Sequence, residues 1–221
     1  MGIRRDNKSR RKYRIGRTRR PLRQAAGERI NGRLLCALAD VAGTIRDGDL
    51  LLFRRRGAIA IAGRGVHSHA AKAIWWGSDL MCVEVREWHG GRAVLLRREV
   101  DRRPGLIDVY ETNPDDRWPG YQQTLAAQYM RRLAGCGYSY WGIVQAACLH
   151  LPIVRWCVKP SVDDFDADSA TNRPVFCSQA VAMADRIAGG VDPVEGLSDR
   201  ITEPADLARS KFYRYRFSLL P

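Results

Sequence analysis

Six cysteines and four histidines supply the nucleophile and base chemistry open to this 221-residue chain. Cys177 stands apart by its setting. Pro174-Val175-Phe176 leads into Cys177-Ser178-Gln179-Ala180, which places the thiol at the start of a helix. There the unpaired amides and the helix dipole stabilise a thiolate and lower its pKa. Cys82 falls inside a strand-like run and Cys148 inside an apolar helix-like run. Thiols in such places behave as small buried hydrophobes. A thiol nucleophile also needs a base. His67 and His69 flank Ser68 at the start of a strand, and alternation puts both on one face. Either would meet Cys177 if that strand lies beside the helix start. His89 sits in the turn His89-Gly90-Gly91, placed for solvent, and His150 in an apolar run, placed for the core. A third group should orient the imidazole. Glu84, in Cys82-Val83-Glu84-Val85, is a carboxylate on an otherwise apolar strand one short turn from the histidines. Buried, it needs a partner; the other reading is the polar face of an edge strand.

The elements that must position these groups follow from periodicity. Over residues 24–42, Ile30, Leu34, Leu35, Leu38 and Val41 recur at helical spacing, so this stretch reads as a helix closed by Gly43. The turn signal Ile45-Arg46-Asp47-Gly48-Asp49 precedes a buried strand, Leu50-Leu51-Leu52-Phe53. Further strands are expected at residues 68–74, 80–87, 93–96 and 107–111, with Gly77-Ser78-Asp79 as one of the turns. The first half is therefore a meander of short strands. The second half is mostly helical. Residues 121–134 carry Leu125, Tyr129 and Leu133 on one face, residues 141–151 are apolar and end at Pro152, and residues 177–188 close at Gly189-Gly190. Residues 163–172 form an acidic loop. Thr202-Glu203-Pro204-Ala205-Asp206 reads as a helix start with Pro in its first turn. The aromatic–basic alternation over residues 211–219 reads as a closing strand with one buried face. The class is α+β.

Composition bounds the function. Hydrophobic residues make up 45% and charged residues 28%, enough apolar surface for a real core, which excludes a wholly disordered chain. Net charge is +13, and residues 1–23 hold 11 Lys or Arg against the single acid Asp6. That arm carries +10 and leaves only +3 for residues 24–221, read as a single domain. Low hydrophobicity and self-repulsion keep such an arm unfolded by itself. Arg10, Arg11, Lys12, Arg14, Arg17, Arg19 and Arg20 suit contact with nucleic acid or another polyanion; the alternative is a solubilising tail. No secretory h-region precedes the domain, so reduced thiols and a cytoplasmic setting are expected. No run of about 18 uninterrupted apolar residues occurs, so no spanning helix is expected. Asp164, Asp166 and Asp168 open like a calcium loop, but Ser169 and Val175 stand where Gly and Glu are required. The cysteines lack paired CxxC spacing. No phosphate-binding or dinucleotide motif is present. Neither a metal nor a cofactor is expected.

Four segments in order resemble the circularly permuted NlpC-like cysteine peptidases of the YiiX type, papain-fold hydrolases in which the histidine strand precedes the cysteine helix. They are Ile45-Arg46-Asp47-Gly48-Asp49-Leu50-Leu51-Leu52-Phe53, His67-Ser68-His69-Ala70, Val83-Glu84-Val85 and Val175-Phe176-Cys177-Ser178-Gln179. The resemblance covers roughly residues 43–213, including Ile201-Thr202-Glu203-Pro204-Ala205-Asp206-Leu207-Ala208-Arg209-Ser210 as the family's closing segment. It implies a permuted papain-like fold, a small antiparallel meander or barrel against the cysteine helix. It implies Cys177 as nucleophile, His69 as base because Ser68-His69 matches the family's Ser-His pair, and Glu84 as orienter. Ser68, Ser178, Tyr138 and Tyr140 are then substrate contacts. Ala70-Ala71-Lys72 departs from the usual Val-Gly-Ile, and Gln179 replaces a common Glu; neither change removes a catalytic atom.

The resemblance implies amide hydrolysis in bacterial cell-wall peptides, with lipid amides or thioesters as further acyl substrates. With no signal peptide, a bacterial or bacteriophage enzyme would reach the wall by assembly into a phage particle or by release at lysis. Other classes are an inert papain-like scaffold or virion structural protein whose arm holds a polyanion, and a membrane-surface protein using the arm and residues 142–158. Salt separates the readings of the arm. With about 6–10 phosphate contacts, duplex DNA binding falls roughly 10³–10⁵-fold between 50 and 200 mM salt, and deletion of residues 1–23 removes it. Binding that ignores both changes assigns the arm to solvation alone.

Overall fold

The computed structural model describes residues 27–54, 65–86, 89–135 and 176–221. Outside them lie the basic arm, Tyr138, Tyr140, the apolar run 141–151 with His150, the acidic loop 163–172, and Cys136, Cys148 and Cys157.

The chain opens with a hairpin, β1 (Glu28–Ile30) and β2 (Arg33–Ala37). This corrects the helix expected over residues 24–42. Asn31 and Gly32 both take left-handed φ, 50° and 76°, the turn whose twist matches antiparallel strands. β2 then finds a parallel partner, pairing Leu35, Cys36 and Ala37 with Ser218, Leu219 and Leu220. Turn chemistry and a long-range partner thus override a helical spacing. Among the described residues of this stretch, Leu38–Val41 (α1) forms a single helical turn, followed by a 3-10 turn from Ala42 to Thr44.

Next come β3 (Asp49–Arg54), β4 (His67–Trp76), β5 (Asp79–Arg86) and β6 (Gly90–Leu95), which form the expected meander. A helix that the sequence reading passed over, α2 (Leu96–Arg102), follows directly. β7 (Ile107–Thr112) returns to the sheet, and α3 (Gln123–Leu133) packs on it. Cys177–Met183 form α4, which widens into a π turn over Ala184–Ala188. α5 (Pro204–Arg209) starts with reciprocal bonds between Glu203 and Asp206 and with Pro204 at its first position. β8 (Tyr213–Leu220) ends the fold.

All eight strands join one sheet in the order β1-β2-β8-β7-β3-β4-β5-β6, antiparallel except for β2 with β8. The expected meander or small barrel is therefore four strands of a wider sheet, and among the described residues no rung links β1 to β6. Both faces are covered, which is why Leu50-Leu51-Leu52-Phe53 is apolar without alternation. Leu51, Phe53, Ala71, Ala73 and Cys82 pack with Leu96 and Val100 of α2. Leu50, Leu52 and Ala70 pack with Val181 of α4 and Leu207 of α5. Ile74, Val83 and Val85 pack with Ala127, Met130, Ala180 and Ala184.

The buried face of α3 differs from the expected Leu125, Tyr129 and Leu133. Ala126, Ala127 and Met130 are buried, Tyr129 and Leu133 sit at the margin, and Leu125 is 42% exposed. Small residues let the helix approach closely. Its C-terminal end lies on β6 at Gly91, where a Cβ would stand 1.8 Å from the Leu133 carbonyl oxygen. The Gly135 N–H donates to the Gly91 carbonyl at 2.8 Å. No helix among the described residues is long and apolar enough to cross a membrane.

A buried ion pair ties the sheet to the cysteine-bearing segment. Lys72 of β4 and Asp185 of the π turn are both fully buried, with Nζ 2.8 Å from Oδ2. Lys72 also donates to the Gly48 carbonyl at 2.9 Å. Tyr121 and Tyr213 both donate their hydroxyls to Asp185. Removing one member of such a cluster strands the rest, at a cost of about 3–5 kcal/mol. Asp185→Ala is expected to lower the unfolding free energy by that amount in urea titration. A loss under about 1 kcal/mol would mean that the pair carries little of the stability.

Candidate active site

Two departures from regular pairing create the site. Between β3 and β4, Phe53 faces His69 but Arg54 faces His67, so β4 carries one extra residue at Ser68. This β-bulge re-aims the histidines on either side of it. Between β4 and β5 the rungs run from Trp76–Asp79 to Lys72–Val83. Beyond Lys72 and Val83 each strand continues against its outer neighbour, β4 along β3 and β5 along β6. The start of α4 meets the sheet at this parting.

Cys177 heads α4 after an extended Phe176 (φ −142°, ψ 169°). The first helical bond runs from the Ala180 N–H to the Phe176 carbonyl at 3.1 Å. The sulfur is hydrogen-bonded to the His69 ring and accepts backbone N–H bonds from Ala70 and Ser178. Burial alone would raise the thiol pKa, but the His69 charge and these donors outweigh it and hold it below its ordinary value. The contrast with the other described cysteines is direct. Burial raises the thiol pKa of both Cys36 and Cys82. Cys177 is also partly exposed, whereas those two are buried.

His69 Nε2 bonds Oε2 of Glu84, which leaves Nδ1 for Cys177. Burial disfavours the imidazolium, yet the thiolate and the carboxylate together raise His69 to about 10. Phe53 packs edge-on against the imidazole, centroids 5.1 Å apart. Glu84 is only 2% exposed. Its burial is outweighed by His69 and Arg92, which lower its pKa to about 2. The electrostatics therefore favour a thiolate, an imidazolium and a carboxylate side by side, an arrangement suited to nucleophilic attack on a carbonyl and protonation of a leaving group.

The expectation that His67 and His69 share a face needs correction. His67 Nε2 bonds Asp108 Oδ2 at 2.8 Å, and its ring lies edge-on to Tyr110 at 6.0 Å. Asp108 is further held by Ser218 at 2.5 Å and Arg54 at 2.6 Å. These partners outweigh burial and lower its pKa. The extra residue at Ser68 breaks the alternation, so each histidine reaches a different carboxylate. Ser68 is half-buried between them, and His89 is exposed in its turn. Ser178 is buried, and its N–H serves the Cys177 sulfur. Tyr138, Tyr140 and the basic arm lie outside the described residues. Sequence reasoning missed Arg92, which stands directly across from Glu84 in the register of β5 and β6. Its only signal was a basic residue on the strand after the acid-bearing strand.

No protein-family model matches the chain, and no curated protein does. Among solved structures, the chain is similar to the metalloprotein yiiX from Escherichia coli O157:H7, DUF1105. The TM-score is 0.51 at 15% sequence identity, with 80% of this chain and 99% of that chain covered. At this identity the likeness concerns the fold alone.

The electrostatics make the thiol testable without a substrate. Alkylation of Cys177 by iodoacetamide, followed by peptide mass spectrometry, is expected to reach its plateau at lower pH than an ordinary thiol, whose pKa is about 8.5. Glu84→Gln weakens the imidazolium that stabilises the thiolate, so its midpoint moves to higher pH. An ordinary midpoint in the wild type would contradict the ion pair.

Proposed function

We propose that the protein is a thiol hydrolase that cleaves an amide bond through Cys177, His69 and Glu84, with bacterial cell-wall peptides as its substrate class. The observation that carries this reading is the convergence of the three groups from α4, β4 and β5, with the imidazole held between sulfur and carboxylate. The resemblance of the ordered motifs to YiiX-type cysteine peptidases supports the substrate class.

In this reading the Cys177 thiolate attacks the carbonyl carbon. Backbone N–H groups at the start of α4 receive the oxyanion. His69, already an imidazolium, protonates the departing amine, leaving a thioester acyl-enzyme. His69 then takes a proton from water, the hydroxide adds to the thioester, and the acid leaves as Cys177 is restored. Glu84 keeps the ring oriented and its charge stabilised throughout. Ser68, Tyr138 and Tyr140 contact the substrate. The solved neighbour is a protein described as a metalloprotein. Among the described residues no three His, Cys, Asp or Glu side chains group to hold a metal ion, and His69 is bonded to both Glu84 and Cys177. This donor set does not fit a metal, and no step runs through one. The +10 arm is proposed as the part that holds a polyanion, and delivery with a phage particle suits a chain acting on the wall.

Mass spectrometry of muropeptides tests the reading. The wild type is expected to release a cleaved fragment and Cys177→Ala none, with His69→Ala reduced by about 10²–10⁴-fold. Turnover retained by Cys177→Ala would remove Cys177 as nucleophile. Silence of both proteins on muropeptides, with cleavage of a lipid amide or thioester by the wild type, would change the substrate class and keep the mechanism.

A further inference from the structure

The orienting carboxylate is itself gripped from behind. Arg92 of β6 closes on Oε1 of Glu84, with Nε at 2.6 Å and Nη2 on the same oxygen. The other oxygen, Oε2, belongs to His69. Arg92 is in turn held near Glu99 of α2, with Nη2 3.9 Å from Oε1. Glu99 is buried and also binds Arg102 at 3.3 Å and Arg103. The Arg103 guanidinium lies 5.5 Å from the Phe53 ring centroid, and Phe53 packs on His69. The contacts form a closed circuit: His69, Glu84, Arg92, Glu99, Arg103, Phe53 and back to His69.

This circuit solves a problem of charge. A thiolate, an imidazolium and a carboxylate sum to one negative charge in a largely buried place. An unpaired buried carboxylate takes up a proton. Arg92 supplies the balancing cation at Oε1, which leaves Oε2 to His69. Glu99 places an opposite charge behind the guanidinium, 3.9 Å from Nη2. Cys82, the remaining titratable neighbour on β5, is buried and held protonated by burial and by the charges of Glu84 and Glu99.

We propose that Arg92 is a positioning residue for the thiol chemistry: it holds Glu84 ionised and oriented toward His69, with Glu99 of α2 as the opposite charge behind it. The proposal rests on the thiol-hydrolase reading and deepens it. A purely structural Arg92 would alter stability alone. A positioning Arg92 alters the pH at which Cys177 reacts, because Glu84 protonates earlier without it.

The test measures Cys177 alkylation by iodoacetamide from pH 4 to 9 by peptide mass spectrometry, with thermal melting alongside. Arg92→Leu is expected to move the acid limb upward by about one pH unit and to slow reaction at pH 5 by about tenfold. Arg92→Lys keeps the charge and restores most of the limb. Adding Arg92→Leu to Glu84→Gln is expected to change the limb no further, since both act through one carboxylate. Should Arg92→Leu not fold, Glu99→Gln replaces it, with a smaller shift in the same direction. A wild type with a low-pH limb and an Arg92→Leu limb that coincides with it would overturn this proposal while leaving the hydrolase reading intact. A wild type that reacts as an ordinary thiol would overturn the hydrolase reading itself.

Discussion

The Lys72–Asp185 ion pair is the constraint around which the rest is arranged. Lys72 lies three positions past His69 on β4, and Asp185 lies in the turn that continues the Cys177 helix. The same strand and the same helical segment thus meet twice, once through a buried salt bridge and once through the thiol and imidazole. Two buried charges cost several kcal/mol to desolvate unless geometry and extra hydrogen bonds compensate. Here the Gly48 carbonyl and the hydroxyls of Tyr121 and Tyr213 provide them. Such a cluster tolerates one arrangement of helix against sheet, and that arrangement sets Cys177 beside His69. Lys72, a charge on an otherwise apolar stretch of β4, becomes intelligible as half of this bolt.

The proposed site repeats the same economy with alternating signs. Going outward from Cys177, a sulfur whose anion is favoured meets a positive ring, a negative carboxylate, a positive guanidinium and Glu99. Each buried charge has an opposite neighbour, so burial that would neutralise any one of them is outweighed. Sheet irregularity makes room for this chain of charges. The bulge at Ser68 and the parting of β4 from β5 give up a few ladder hydrogen bonds, and they let a helix end reach a ring inside the sheet.

Where sequence reading went astray, a longer-range partner had prevailed over a local signal. The apolar spacing over residues 24–42 fits a helix, but the Asn31-Gly32 turn and the parallel partner β8 draw the segment into the sheet. On α3, Ala126 and Ala127 face the sheet in place of the larger Leu125, because the helix end must sit against Gly91. α2 was passed over because its stretch, Leu96–Arg102, carries five charged residues in seven. Its helical face is apolar only at Leu96 and Val100, and its buried Glu99 is a polar residue at a core position.

The sequence by itself determined the α+β class, the strand meander from β3 to β6, the helix that begins at Cys177 and the ordering of a histidine pair, an acid and a cysteine along the chain. These are consequences of local stereochemistry: period-two and period-3.6 patterning, turn residues and helix starts act over a few residues. The resemblance had singled out His69, but only tertiary structure decided that His67 and His69 part, since one extra residue at Ser68 breaks the alternation that would put both on one face. It also decided that Arg92 stands behind Glu84, that Asp108 takes His67, and that Lys72 finds Asp185. Each of those pairings depends on strand register and helix placement, and a carboxylate's pKa and role follow from the charge that register puts beside it.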